Sequence, residues 1–340
     1  MSEFRIDQIK SQDASRGPDI AGITTFTGTS GIVMPSGDTA YRGGRGRGCI
    51  YGGETPGPTN VNTISYITIA TLGNAQDFGD LAIASRGHAD SKIASSTRGI
   101  TAGGYVGPTV SNVIGYFTIS STGNAFNFGD LPKTSYQFTA TSDRTRGLFV
   151  GGYSPNNNTI VDEINYVTIA SAGDAVDFGT LTEPRRGFGN VNSPTRGIFA
   201  GGTFPNATKK SVIDFVTIST KGKATNFGDL SASRDQLAGV SNATRGVFVG
   251  GRQPSTTNIM EYITMASLGN PIDFGDLNGA DLQNGAMSSP TRGVVTGNGG
   301  YSTDIAYLTI TTLGDAADFG DNATATAQGS ALSDSHGGLG

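Results

Sequence analysis

Short β-type segments follow one another along this chain, each bounded by glycine or polar turn residues, and the same order of segments returns six times. The most apolar of them are NTISYITIA (62–70), NVIGYFTIS (112–120), EINYVTIA (163–170), SVIDFVTIS (211–219), NIMEYITMA (258–266) and DIAYLTI (304–310). They are rich in β-branched and aromatic residues and too short for independent helices. Apolar positions fall on both faces: Ile64 and Tyr66 point one way, Ile67 and Ile69 the other. Such a strand is expected to be covered on both sides.

Two landmarks frame these segments. An arginine–glycine pair begins at Arg47, Arg98, Arg146, Arg196, Arg245 and Arg292, and is followed by three more strand residues and a glycine pair such as Gly201-Gly202. The pair decays to Gly297-Asn298 in the sixth copy. The phenylalanine of a DFGD-like string falls at Phe78, Phe128, Phe178, Phe227, Phe274 and Phe319. The repeat is therefore about 49 residues long, a period that belongs to propellers and solenoids. Each copy reads as four strands. Strand a is rich in Ala, Gly and Ser, strand b runs from the arginine to the glycine pair, strand c is the apolar segment, and strand d carries DFGD. Small residues in strand a suit the innermost position, where neighbouring copies converge.

A four-stranded sheet of this size cannot bury itself, and stacking six around an axis covers both faces of each. The ends of the chain favour a ring over a solenoid. The first copy has strands b, c and d but no clear a, while QGSALSDSHGG (328–338) resembles a strand a with no b behind it. Set against the fourth copy, Ser333, Ser335, His336 and Gly337 are expected where Ser193, Thr195, Arg196 and Gly197 stand. The expectation is an all-β, six-bladed β-propeller of four-stranded antiparallel blades over residues 45–340, closed by the C-terminal strand joining the first blade. The repeated arginine is expected to make a recurring hydrogen bond or ion pair, with the DFGD aspartates as candidate partners.

Residues 1–44 stand outside the repeat. FRIDQI and DIAGITTFTGTSGIVMPSGDT are extended and lack the apolar content for a core, so they read as an N-terminal arm that orders on a partner. YRGGRGRG (41–48) reads as a hinge between arm and ring. The first thirteen residues have no apolar stretch behind basic ones, so no signal peptide is expected. No apolar run approaches the ~18–20 residues of a membrane helix. Net charge is −5, which argues against a nucleic-acid surface.

Candidate chemistry is sparse. The sequence has one cysteine, Cys49, two histidines, His88 and His336, and no tryptophan. Cys49 falls within strand b, where a buried free thiol is expected. The arginines recur once per copy, a structural distribution rather than a convergent triad. Carboxylates in turns such as LGDAADFGD lack the order of a calcium loop. The expectation is no catalytic residues, no metal and no cofactor. In an up-and-down blade the a–b and c–d turns share one face of the disc, and these repeat almost unchanged. The b–c and d–a loops share the other face and vary between copies. Variable loops on a rigid frame are where binding concentrates. The candidate binding residues there are Tyr105, Tyr153, Arg185, Arg186, Phe204, Lys209, Lys210, Arg252 and Tyr301.

The repeat resembles the kelch β-propeller repeat: a small-residue strand, a strand ending in a glycine pair, then aromatics in the last two strands. It departs from that pattern in carrying Phe78 and its counterparts where kelch repeats usually carry tryptophan. The combination of the opening FRIDQIKSQD…GPDIAGITTFTGTSGIVMPSGDT with RGRGCIYGG and YITIATLGNAQDFGDL units is similar to virion structural proteins of marine tailed phages, notably those infecting cyanobacteria. That resemblance implies a virion component whose arm docks to other virion proteins and whose ring is displayed, for structure or for a host surface glycan or protein. It also implies a homo-oligomer through the arm as one outcome. The alternatives are an intracellular kelch-type scaffold and, less favoured, a carbohydrate-active enzyme.

Overall fold

The computed structural model describes residues 46–88, 92–282, 285–297 and 300–339. The expected arm, 1–44, lies outside them. The described residues form six four-stranded antiparallel sheets arranged as a β-propeller, each in the order a-b-c-d. In blade 4 these strands are Gly189–Asn192, Arg196–Ala200, Val212–Thr217 and Thr225–Asp229. Blades 5 and 6 differ from expectation in strand d, which runs on through Ile272–Asp281 and Ala317–Thr326. The residues after DFGD there, such as NATATA (322–327), continue in β-type sequence instead of turning.

Blade 1 is built from both ends of the chain. Strand Ser330–Ser333 pairs with Arg47–Tyr51 in the register Gly48↔Ser333 to Tyr51↔Ser330. In blade 4 the equivalent pair is Asn192↔Gly197, so Ser333 matches Asn192, one position from the expected alignment. The turn explains the shift. In each other blade a short polar residue begins the a–b turn and caps the arginine's N–H: the Ser193 hydroxyl accepts from Arg196 N at 3.1 Å, and Asp143 Oδ1 from Arg146 N at 2.7 Å. Asp334 does this for blade 1 across the chain ends, accepting from Gly46 N at 3.0 Å and Arg47 N at 2.9 Å. Gly46 and Arg47 are thus held in the ring, and the described end of the glycine-rich string is not a hinge.

The core is six wedges, one at each interface between blades. Phe199 packs into the blade 3/4 wedge with Leu148, Phe178 and Phe188. Ile198 and Ala200 of the same strand enter the 4/5 wedge with Phe227 and Phe248. Cys49 is fully buried in the 1/2 wedge, where burial pushes its thiol pKa up. The DFGD phenylalanine sits in a β-bulge in every blade: Ile164 pairs with Gly179 and Asn165 with Asp177, leaving Phe178 unpaired. The freed Phe carbonyl accepts the N–H of the turn glycine of the next blade. All six such bonds are present, at 2.7–3.0 Å, from Gly123→Phe78 to Gly73→Phe319. The approach is close: a Cβ at Gly179, whose φ is +154°, would lie 2.0 Å from Gly222 O.

The repeated arginine completes a second circle. Each guanidinium lies 4.4–4.8 Å from the centroid of its own blade's strand c aromatic, Arg196 over Phe215 and Arg245 over Tyr262 among them. Each donates to the carbonyl just past strand c of the following blade at 2.8–3.0 Å, from Arg47→Ile119 to Arg292→Ile69. The partners are backbone carbonyls and aromatic faces, not the DFGD aspartates. Turn carboxylates such as Asp174 and Asp315 accept backbone N–H groups of Asp130 and Asp276.

The axis is filled. Lys92 reaches from blade 2 to the Asn190 carbonyl of blade 4 at 3.0 Å. After Ser333 the chain turns inward, and Gly337–Leu339 form a buried 3-10 turn. His336 does not take an arginine position; it ties this plug to blades 2 and 4 and, through the Ser142 hydroxyl 3.3 Å from Nε2, to blade 3. Its Nε2–H donates to Ala94 O at 2.9 Å, and its Nδ1 accepts from Asn192 Nδ2 at 3.0 Å and Gly338 N at 3.1 Å. An imidazole with Nδ1 used as an acceptor has no room for a second proton. Burial, with Lys92 nearby, lowers its pKa from 6.5 to about 4.

Two outcomes are expected. A chain ending at Gln328 loses the inner strand of blade 1, the Asp334 cap and the plug, and its melting temperature, followed by circular dichroism, should fall by about 10 °C or more. A melt within a degree or two of the full chain would refute closure by this strand. Separately, the folded pKa of His336 lies below the unfolded one, so the unfolded chain binds the extra proton between them. Stability should therefore fall as pH drops from about 6.5 to about 4, with His336 accounting for about 3 kcal/mol. Urea midpoints across that window should flatten by this share in His336→Gln, leaving the same-signed contribution of buried His88.

Candidate functional site

The variable face is organised around an inner ring of d–a loop residues with left-handed backbone. Gly87, Gln137, Gly187, Gln236 and Gln328 all have φ between +54° and +69°. Their backbones are bonded head to tail around the axis: Gly87 N to Gln328 O, Gln137 N to Gly87 O, Gly187 N to Gln137 O and Gln236 N to Gly187 O, at 2.5–3.0 Å. The residue before each ring member sits at one repeated backbone position and is different in kind around the ring: Arg86, Tyr136, Arg186, Asp235 and Ala327. Each forms an isolated β-bridge to the b–c loop of its own blade, at Tyr105, Tyr153, Thr203, Arg252 and Glu54 for Arg86, Tyr136, Arg186, Asp235 and Ala327 respectively.

These pairings assemble a continuous arc. The Arg86 guanidinium lies 4.8 Å from the Tyr105 ring centroid and pairs with Glu54. Tyr105 meets Tyr136 at 6.3 Å, Tyr136 meets Tyr153 edge-on at 5.4 Å, and Arg186 lies 5.3 Å from the Tyr153 ring. Three half-buried tyrosines are thus bracketed by two guanidinium groups. Beyond Arg186, Asp235 is held by Arg252 through two bonds of 3.2 and 3.0 Å, by the Thr203 hydroxyl at 2.7 Å and by Lys209 at 3.4 Å. Tyr136, Gln137, Arg186, Lys209, Asp235, Gln236 and Arg252 line a cavity of about 210 Å³.

A second cavity, about 240 Å³, lies between blades 6 and 1 beside Glu54 and Tyr301. It has a cause in the repeat. The residue after each ring member plugs the top of a wedge: His88, Phe138, Phe188 and Leu237 are all buried. At the same place blade 1 carries Gly329, and the volume is left open. Tyr301 donates to Glu54 Oε1 at 3.2 Å across this gap.

Of the sequence candidates, Tyr105, Tyr153, Arg186, Lys209 and Arg252 meet in or beside the arc. Phe204 lies under Lys210, whose ammonium is 4.5 Å from the ring centroid and 3.2 Å from Glu183. That pair is set outward of the arc, and Tyr301 belongs to the second cavity. Arg185, expected on the loop surface, is not exposed there. It is fully buried, donating to Gly201 O at 3.1 Å, Val212 O at 2.8 Å and Asp214 Oδ2 at 2.7 Å. Burial lowers its pKa while Asp214 opposes the shift, and a guanidinium stays charged under such a pull. Arg234 repeats the arrangement in blade 5 with Gly250 O, Ile259 O and Glu261. The sequence signal was the acidic residue at the middle of strand c in those two copies alone. Arg86, Tyr136 and Asp235 were missed because the d–a loops carry no repeated motif.

Among the described residues no group of three or more His, Cys, Asp or Glu side chains is placed to hold a metal ion. Breaking the buried pair by Asp214→Ala should cost about 3–5 kcal/mol, because Arg185 is left charged and unpaired, while the double change R185M/D214L should recover most of it. Chemical denaturation of the three variants measures this, and additive losses would refute the coupling. A scan against protein-family models and a search of curated protein sequences both return no match.

Proposed function

We propose that this chain is a non-catalytic display propeller of a virus particle, attached through residues 1–44 and binding a host surface molecule through the arc of its variable face. The observation that carries the binding reading is the inner ring. One backbone position holds Arg86, Tyr136, Arg186, Asp235 and Ala327 in successive described copies, whereas the opposite face repeats one set of bonds. Side chains that differ where the backbone is constant are free of the closure of the ring. The half-buried tyrosines and flanking arginines suit recognition, since both residue types supply large contact area at low entropic cost. The virion setting is supported by the sequence resemblance to tailed-phage structural proteins and by the extended composition of the arm. Strand-like segments with nothing to bury them can add to a partner's sheet edge.

The full chain should co-purify with particles in mass spectrometry, and labelled full chain should bind intact host cells. Y105A/Y136A/Y153A should lose at least about tenfold in cell binding. Confinement of the chain to the soluble fraction of infected cells would point to the intracellular scaffold, and unchanged cell binding by the triple variant would remove the arc from the function.

A further inference from the structure

Five non-glycine residues among those described have left-handed backbone, and three of them, Gln137, Ala207 and Gln236, line the single cavity of about 210 Å³ beside the arc. Ring positions in two other copies, Gly87 and Gly187, are glycine, the residue this conformation favours. Gln137 and Gln236 keep a long polar side chain there against that preference, and strain of this kind concentrates at ligand sites. The polar groups around the cavity are also short of partners. Gln236 Oε1 is buried with none. The Arg186 guanidinium lies over the Tyr153 face, and among the described residues no hydrogen bond joins it, the Tyr136 hydroxyl or the Gln137 amide to a partner. Charge is one-sided. Arg186, Lys209 and Arg252 face one carboxylate, Asp235, which is already engaged. The Arg252 side chain remains 42% exposed while both its bonds to Asp235 hold it in place.

We infer that this cavity is a subsite for an acidic saccharide. The inference rests on the display reading and names its ligand class. A carboxylate or sulfate on the sugar would accept from the unengaged Arg186 fork and from Lys209 or Arg252. Gln137 and Gln236 supply amides for ring hydroxyls, and Tyr136 offers a face for the sugar's C–H groups. Asp235 fixes the two neighbouring cations and does not compete for the ligand.

The test uses full-length protein and three matched probes: an oligogalacturonate carrying carboxylates, a sulfated galacto-oligosaccharide and the neutral galacto-oligosaccharide, with inorganic sulfate as a fourth arm. Calorimetry should show at least one acidic probe binding about tenfold or more tighter than the neutral one, and tighter than inorganic sulfate. Arg186→Gln should abolish that difference at unchanged melting temperature. Gln236→Gly should raise the melting temperature and weaken binding together, which a purely structural glutamine would not do. Equal binding of neutral and acidic probes, or no effect of Arg186→Gln, overturns the acidic-ligand assignment and leaves the display reading standing. Binding of host cells without binding of any probe also overturns it, and points to a protein receptor. Failure of both probe and cell binding removes the display reading itself.

Discussion

The outer edge of each blade is the constraint on which the rest of the ring depends. Strand d has no fifth strand to pair with, and an open edge invites association with other chains. The bulge at the DFGD phenylalanine turns that edge into a socket. Phe178 drops out of the ladder, so its side chain enters the wedge while its carbonyl faces the neighbouring blade and accepts the Gly222 N–H. One irregularity therefore provides both core and interblade bonding. Because every blade needs the next one's turn, no blade can be last, and the sixth blade must be joined to the first. That is why Ser330–Ser333 returns to the first blade, and why Asp334 caps a turn whose other half is nearly three hundred residues away in sequence.

The same requirement divides the two faces. The a–b and c–d turns hold the arginine circle, the turn-glycine circle and the polar caps, and a change in any copy breaks a contact with a neighbour. Even there the copies tolerate small losses. Pro271 stands where other turns use an alanine N–H, and Lys223 stands where they use an Asn or Asp cap. On the opposite face a run of backbone bonds through Gln328, Gly87, Gln137, Gly187 and Gln236 links five blades, so the side chains beside it are released from that task. Polar groups can there be left unpaired at low cost to the fold, as at Arg186.

Much of this architecture was legible because repetition multiplies weak signals. Phe178 or Gly201 alone says little, but six copies in register fix four strands, their order and the need for closure. What stayed hidden involves the backbone. The acceptors for Arg196 are the Met265 and Ala266 carbonyls, and a carbonyl leaves no trace in the sequence. The aspartates of DFGD were plausible partners by charge, yet they lie on the outer strand while the guanidinium is held over Phe215. The bulge was equally invisible, since alternation locates Phe178 on an inward face without revealing which carbonyl it frees. The one-residue slip in aligning the C-terminus came from matching Ser333 to Ser193 by type, when the role of Ser193 as turn cap passes to Asp334.

Arg185 and Arg186 show where the reading of the candidate site ran out. They are adjacent and identical in type, and a loop argument treats them alike. Their fates are set by what faces them. Asp214 on strand c and the carbonyls ending strand b take Arg185 into the wedge, whereas Arg186 meets the Tyr153 ring and open volume. A buried guanidinium demands a carboxylate of its own, and Asp214 and Glu261 are the strand c acids that supply it for Arg185 and Arg234. Among the described residues no acid is left over for Arg186, and the one carboxylate that lines its cavity, Asp235, is bound by Thr203 and Arg252. Arg186 is thus half-buried on a tyrosine with no acceptor among the described residues, a fate that its loop sequence, shared in type with Arg185, does not reveal.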